Sequence, residues 1–361
     1  KKNLIFLLPN FSYGGAGLSI LKLCRNISYK NFNIYIISLG KNYYKKEFKD
    51  LNLEVIELNK KSLIFSLKII KKIIQRIIKR NDKKTFLISN INYANALSCF
   101  FFRHIYKLKI ITIERTPIQE LNYYSSYSKL FKNFIIKILI KLYYKYALIR
   151  IGNSNPVSRD LEKFCNCKVK TIIPYFKIGK KNFKKFDKHQ INLTWIGRIS
   201  PEKNIDDLLK AIKHLKKMNF NLNIVSDKKV NLRNFNINKK IGKKINTLKF
   251  GSLDLTKIYK KTDILISTSL YEGFPNVIAE AINYNCLIIS AKNFGGVRQL
   301  IGNEDRGLYY ISKDPHDLYK KIVYSIKNKN LVKKKIYKSK RNLVKLSRLN
   351  KNIYKDLFNK L

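Results

Sequence analysis

Residues 262–289, TDILISTSLYEGFPNVIAEAINYNCLII, restrict the possible folds more than any other part of the chain. The apolar run Ile264–Ser267 reads as a buried strand, and Glu272-Gly273-Phe274-Pro275 as a turn. A helix is expected to start near Pro275, because a first helical turn has no use for the N–H that proline lacks. Val277, Ile278, Ala281 and Ile282 are its expected buried face, and a second apolar run spans residues 286–289. Strand, helix and strand in such close succession predict a parallel crossover unit. The turn then lies at the carboxyl end of a strand, where open α/β sheets place ligands, and the helix start offers N–H groups to a phosphate. Two carboxylates punctuate the unit, Glu272 in the turn and Glu280 in the helix. On spacing alone they are equally well an exposed loop acid and a helix-surface acid.

The rest of the chain alternates in the same way. Strands are expected over residues 3–8, 33–39, 53–58, 85–89, 109–113 and 147–152, with helical patterns between most of them, which argues a parallel sheet flanked by helices. The first strand runs into a glycine loop, Gly14-Gly15-Ala16-Gly17, where backbone can approach a ligand closely. Residues 1–176 form the expected first domain, and the charged stretch 177–190 reads as a linker. A second domain is expected over 191–345, with a closing helix over 346–361. It opens with a strand, Gly197-Arg198, and then Lys203-Asn204 ahead of a helix over 206–217. Two cations flanking a helix start after a strand suit a diphosphate. Further strands are expected over 222–226, 247–250 and 307–309.

These motifs together resemble the family 4 retaining glycosyltransferases. E-G-F-P-x-x-x-x-E, from Glu272 to Glu280, is similar to that family's E-x7-E signature, and Gly197 to Asn204 to its G-R-x-x-x-x-K-G/N stretch. Gly14-Gly15-Ala16 matches its first glycine loop, although Gly17 stands where an acid is usual. Asn153-Ser154 and Ile173-Pro174 match stretches that close the family's first domain, with Tyr175 in place of an Asn. Asn293 to Val297 is similar to its glycine-rich turn, with Gln299 for a usual Glu, and Asn283-Tyr284-Asn285 replaces a small-residue turn. The resemblance implies an α/β GT-B fold, two Rossmann-like domains facing across a cleft, with acceptor bound by the first and nucleotide sugar by the second. It implies a hexosyltransferase-type reaction with retention and no obligatory metal or other cofactor. Arg198 and Lys203 would then neutralise the leaving diphosphate, Glu272 bond the donor sugar and Glu280 hold the ribose. Gly197, Gly273, Phe274, Pro275 and Asn276 would line the donor, and Gly14 and Gly15 would close over it. Glu114 and Arg115, at the end of a strand, stand where the family often carries a His or an acid near the substrates. They read equally as an ordinary surface ion pair.

The implied donor is a UDP- or GDP-linked sugar, and the implied acceptor a glycan or lipid-linked glycan of cell-surface polysaccharide or glycolipid synthesis. Two other classes are weighed. A nucleotide-sugar epimerase or a phosphorylase would need its own acid/base set or a pyridoxal-binding lysine motif, and neither is evident. A nucleic-acid binder would need a recognised motif, and the cations here are spread rather than striped with aromatics. The four histidines have no partner at metal-ligand spacing, and the five cysteines suggest neither zinc nor a disulfide framework.

The charge is extreme: 75 Lys and Arg against 23 Asp and Glu, a net +52. The joint excess of Lys, Asn, Ile, Tyr and Phe fits compositional drift of an A+T-rich genome, yet the resulting field still attracts polyanions. Two helical stretches combine both features. Over residues 65–80, Ile69, Ile70, Ile73, Ile74, Ile77 and Ile78 oppose a cationic face. Over 128–146, Phe131, Phe134, Ile135, Ile138, Leu139 and Leu142 oppose Lys137, Lys141 and Lys145. The apolar faces are expected to pack on the sheet, and the cationic ones suit anionic headgroups. No run approaches the roughly 18 apolar residues of a spanning helix. Residues 1–9 read as a strand, not a cleavable signal. The expected location is therefore the cytoplasm, on the inner face of the membrane.

Overall fold

Continuous apolar runs separated by amphipathic helices build two parallel sheets. The computed structural model describes residues 1–361 except 12–14, 28–30, 81–83, 123–125, 177, 180–189 and 251–253. The chain divides into two units, Lys1–Tyr175 with Asn350–Leu361, and Phe176–Leu349.

In the first unit the strands are β1 (Lys2–Leu7), β2 (Phe32–Ser38), β3 (Glu54–Glu57), β4 (Thr85–Asn90), β5 (Lys109–Glu114), β6 (Ile149–Gly152) and β7 (Lys170–Thr171). They form one sheet in the order β3-β2-β1-β4-β5-β6-β7. Every pairing is parallel. Side chains alternate between two cores, as a strand period of two requires. Ile5, Leu7 and Leu87 pack under the helices α3 (Leu67–Arg80), α4 (Asn92–Leu97), α5 (Tyr127–Tyr143) and α6 (Asn155–Cys165). Leu4, Phe6 and Ile88 pack on the other face with residues of α1 (Gly15–Cys24) and α2 (Lys45–Lys49) and with the C-terminal Leu357, Phe358 and Leu361.

In the second unit β8 (Ile191–Ile196), β9 (Phe220–Ser226), β10 (Ile245–Lys249), β11 (Ile264–Ser267), β13 (Leu287–Ala291) and β15 (Leu308–Tyr310) form a parallel sheet ordered β10-β9-β8-β11-β13-β15. A separate two-residue ladder pairs β12 (Tyr271–Glu272) with β14 (Phe294–Gly295). The helices are α7 (Ile205–Ile212), α8 (Lys239–Gly242), α9 (Leu255–Lys261), α10 (Asn276–Asn283), α11 (Val297–Ile301), α12 (Pro315–Lys327) and α13 (Lys329–Lys360). α13 begins in the second unit, and its residues from Asn350 count with the first. Both sheets reverse their strand order beside their first strand, at β1/β4 and β8/β11. This is the Rossmann-like arrangement, and the reversal opens a crevice at the strands' carboxyl ends.

Two helix faces depart from expectation. On α3 the buried stripe is Leu67, Ile70, Ile74 and Ile77, while Ile69 faces solvent. On α5 the expected buried face points outward: Phe131 is 67% and Phe134 58% exposed, and Ile135, Ile138 and Leu142 are exposed as well. Asn133, Ile136 and Ile140 face the core instead. Both arcs of this helix are apolar, so periodicity could not choose between them. Polar anchors do. The Asn133 side-chain amide donates to the Leu121 carbonyl at 3.0 Å, and Tyr144, just past the helix, donates to Glu114. Ser126 caps the helix start by accepting from the Lys129 N–H. Ile136→Ala and Ile140→Ala should each cost about 2–5 kcal/mol in denaturant unfolding, as core truncations do. Phe131→Ala and Phe134→Ala should stay within about 0.5 kcal/mol of wild type, as exposed positions do.

Candidate active site

The crevice at β8/β11 is laced shut at its base. The Trp195 indole N–H donates to Thr268 Oγ1 at 2.9 Å, and the Thr268 hydroxyl donates to the Lys203 carbonyl at 2.6 Å. The Leu270 N–H donates to the Glu202 carbonyl at 2.8 Å. These bonds fasten the loop after β8 to the loop after β11. Asn204 completes the turn into α7 with φ +43°, a left-handed conformation that asparagine tolerates better than most residues. This is the physical reason for a Gly or Asn at that place in the motif.

The lacing brings together a cation and an acid 69 positions apart in sequence. Lys203 Nζ donates to Glu272 Oε1 at 2.6 Å, and the Ser269 hydroxyl donates to the same oxygen at 2.8 Å. Both charged side chains are mostly shielded, 23% and 17% exposed. Arg198 is more open, at 58%, and lies 3.3 Å from Glu202 Oε1, which also accepts from the Ser200 hydroxyl at 2.6 Å. Gly197 is buried, and its N–H continues the sheet by donating to the Val225 carbonyl at 3.0 Å.

Glu272 is held from behind by β14. Gly295 has φ +131°, and a Cβ there would lie 1.6 Å from the Glu272 carbonyl oxygen. Only glycine fits such a contact. The Gly296 N–H donates to the Gly273 carbonyl at 2.8 Å, and the Asn293 side chain donates to the Ser269 carbonyl at 2.7 Å. The glycine-rich turn is thus the brace of the glutamate loop. Ser269 escapes a sequence reading, its only hint being its place three residues before Glu272, and Asn293 is read only as the start of the glycine-rich turn.

Glu280, on α10, is half-buried and accepts from the Tyr259 hydroxyl at 3.0 Å through Oε2. Tyr259 is buried and stacked on Tyr284, ring centroids 5.6 Å apart. Burial, reinforced by the Glu280 charge, holds the Tyr259 phenol well above its ordinary value, so it remains a donor. Tyr284 is one of the residues standing where the family has a small-residue turn, and it supplies this stacking partner. Pro275 and Gly273 are buried, and Asn276 begins α10. Phe274 is buried too, its ring stacked on Phe176 at 6.1 Å. One face of the ring is thus taken up by packing.

In the first unit Gly15 opens α1, and Gly14 lies outside the described residues. Glu114 is buried, so it is not the surface acid of an ordinary ion pair. Its carboxylate is closed off from solvent, accepting from the Asn95 side chain at 2.7 Å and from the Tyr144 hydroxyl. Both of these bonds fall on one carboxylate oxygen, Oε1. Arg115 turns the other way, donating to Asn90 Oδ1 at 2.8 and 3.2 Å. Among the described residues, no three His, Cys, Asp or Glu side chains gather as a metal site.

Burial raises the Glu114 carboxyl to about 7 against the opposing pull of Asn95 and Tyr144. The unfolded chain ionises this group at its ordinary 4.5, so between those values the folded state holds the extra proton and stability falls as pH rises. The loss should total about 3 kcal/mol above neutrality. Urea unfolding of wild type and Glu114→Gln should show the gap between the two changing by that amount over the interval; a constant gap would contradict the burial. Gly295→Ala should displace the Glu272 loop and lower ligand affinity at the site at least about ten-fold by titration calorimetry, because a non-glycine residue there is strained and obstructed.

Residues 178–342 match the family model described as glycosyl transferases group 1. Over 345 residues the chain is 26% identical to the Campylobacter jejuni GalNAc-alpha-(1->4)-GalNAc-alpha-(1->3)-diNAcBac-PP-undecaprenol alpha-1,4-N-acetyl-D-galactosaminyltransferase, covering 93% of this chain and 92% of that protein. Among solved structures, a glycosyltransferase from Rickettsia africae superposes with a TM-score of 0.76 at 21% identity over 99% of each chain. Anabaena Alr3699/HepE in complex with UDP-glucose superposes with a TM-score of 0.79 at 15% identity, covering 99% of this chain and all of that one. The chain has the GT-B fold, and within its second unit lie the residues similar to the group 1 model.

Proposed function

We propose that this chain is a family 4 enzyme that moves a hexosyl group from a UDP- or GDP-linked sugar to a glycan or lipid-linked acceptor, with retention and without a metal. The observation that carries the reading is the Lys203–Glu272 pair at the β8/β11 reversal. The name of the Campylobacter relative, with its undecaprenol-linked glycan, supports a lipid-linked acceptor.

Departure of a nucleoside diphosphate concentrates negative charge on its terminal phosphate. Lys203 has three N–H donors, so Glu272 can keep one while others meet that phosphate. The cation is already oriented before the ligand arrives, which is the condition under which a charge contributes most to a transition state. Arg198 adds a second, more solvent-screened cation. Glu280, oriented by Tyr259, accepts from the ribose hydroxyls, and Glu272 accepts from a hydroxyl of the donor sugar. The backbone of Gly197, Gly273 and Asn276 and the start of α10 face the phosphates, and the first unit takes the acceptor. In the transfer, the acceptor hydroxyl oxygen bonds to the anomeric carbon on the face that the diphosphate leaves. The carbon–oxygen bond to the diphosphate breaks, and the hydroxyl proton passes to the departing phosphate oxygen. Glu114 anchors Tyr144 beneath α5.

Nucleotide sugars can be screened first for thermal stabilisation, since a ligand of the folded state raises its melting point. With the donor so found, Lys203→Ala should lose about 2–4 kcal/mol in kcat/KM, and Arg198→Ala less. Wild-type turnover in Lys203→Ala would refute the assignment. Glu280→Gln should weaken both UDP and GDP in titration calorimetry, and unchanged affinity for either would remove the ribose role.

A further inference from the structure

Among the described residues, none covers the outward arc of α5. Tyr127, Phe131, Phe134, Ile138 and Leu142 lie on it, all exposed. Compositional drift would scatter such side chains over the whole surface. Among the described residues, however, seven of the large exposed apolar side chains fall on this one helix. A helix apolar on opposite arcs needs an apolar neighbour on both, and the sheet supplies only one. The surface continues past the helix end through aromatic contacts. His104 packs on Tyr143 and Tyr146, Phe101 packs on Tyr106, and Lys71 of α3 sits 4.0 Å over the Tyr106 ring. Tyr106, Tyr127 and Tyr146 are exposed rings with a polar tip, the chemistry favoured where apolar medium meets water.

The charge on the helix itself has one sign, and the acids nearest to it in sequence are Glu120 and Asp160. Residues 121–159 contain seven Lys and Arg and no Asp or Glu. Lys137 and Lys141 each follow an outward apolar residue, Phe134 and Ile138, by three positions, so they flank the strip on the helix surface. A second copy of a chain carrying +52 would bring like charges together at this face. No described helix is long and apolar enough to cross a bilayer. We infer that the outward face of α5 seats the protein in the interfacial zone of an anionic lipid bilayer, with Phe131, Phe134 and Ile138 among the acyl chains and the flanking lysines at the headgroups. The helix lies in the membrane plane, and its inner arc stays packed on the first sheet. This goes beyond electrostatic attraction, because the apolar side chains hold the contact that the lysines steer. It does not depend on the transfer reaction.

Sedimentation with vesicles tests it, comparing phosphatidylglycerol mixed with phosphatidylcholine against phosphatidylcholine alone. The wild-type chain should pellet with the anionic vesicles at physiological salt. The triple variant Phe131→Ser, Phe134→Ser, Ile138→Ser should bind them at least about ten-fold more weakly, with its melting temperature kept because these positions are exposed. A second variant, Phe131→Trp, reads insertion directly. The single native tryptophan, Trp195, is buried in the second unit, so a blue shift on adding vesicles reports the new residue. Three results would overturn the inference: undiminished pelleting of the triple variant, an unshifted Phe131→Trp spectrum in pelleted protein, or a wild-type dimer that the triple variant converts to monomer. The last would make the face an interface between copies.

Discussion

A lysine and a glutamate brought to 2.6 Å in a half-buried crevice depend on everything behind them. Charges taken partly out of water gain little net stability from meeting one another, so such a pair is poor evidence for a stabilising device. Its worth is positional. The Trp195–Thr268–Lys203 chain of hydrogen bonds and the Gly295 contact at the Glu272 carbonyl fix both partners from opposite sides. The crevice exists because the strand order reverses at β8/β11. The sequence feature that makes the reversal useful is the pair of loops, Gly197 to Asn204 and Ser269 to Asn276, that meet over it. A cation held in place before its anion arrives does not need to be reorganised during reaction, and the proposed chemistry draws on that property.

The second unit was the easier to read. Its strands β11 and β13 are nearly continuous apolar runs, and the loops at its crevice consist of residue types with few structural alternatives, such as Gly295 and Asn204. What could not be read was why those residues are needed. The Gly295 contact is with a backbone oxygen more than twenty positions earlier, and no local pattern encodes it. The place of Phe274 in the motif gives no sign that Phe176 stacks on its ring. Glu114 sat at the end of a strand, where side chains often reach a ligand, yet its side chain turns under α4 and α5 to Asn95 and Tyr144. In α5 the amphipathic pattern was real but doubled, and the inward arc was selected by one asparagine and one tyrosine. Periodicity measures how apolar residues are spaced, not which of two apolar arcs has a partner.

The surplus of lysine bears on function only where structure concentrates it. Over most of the surface the cations are dispersed and screened within about 8 Å at physiological ionic strength, so they attract polyanions without selecting among them. Around α5 they border an exposed apolar strip, and around Lys203 they meet a fixed carboxylate. In the proposed reading these two settings give the same residue type different work, delivery to a surface in one case and charge stabilisation at a site in the other.

The central claim is that the β8/β11 crevice of the second unit receives the nucleoside diphosphate. A crystal structure with UDP, or with GDP if that nucleotide binds more tightly, tests it most directly. The account predicts the diphosphate against Lys203 Nζ, the ribose hydroxyls against Glu280, and Glu272 still braced on β14. A nucleotide seated elsewhere, or one in the crevice with its phosphates turned away from Lys203, would contradict it.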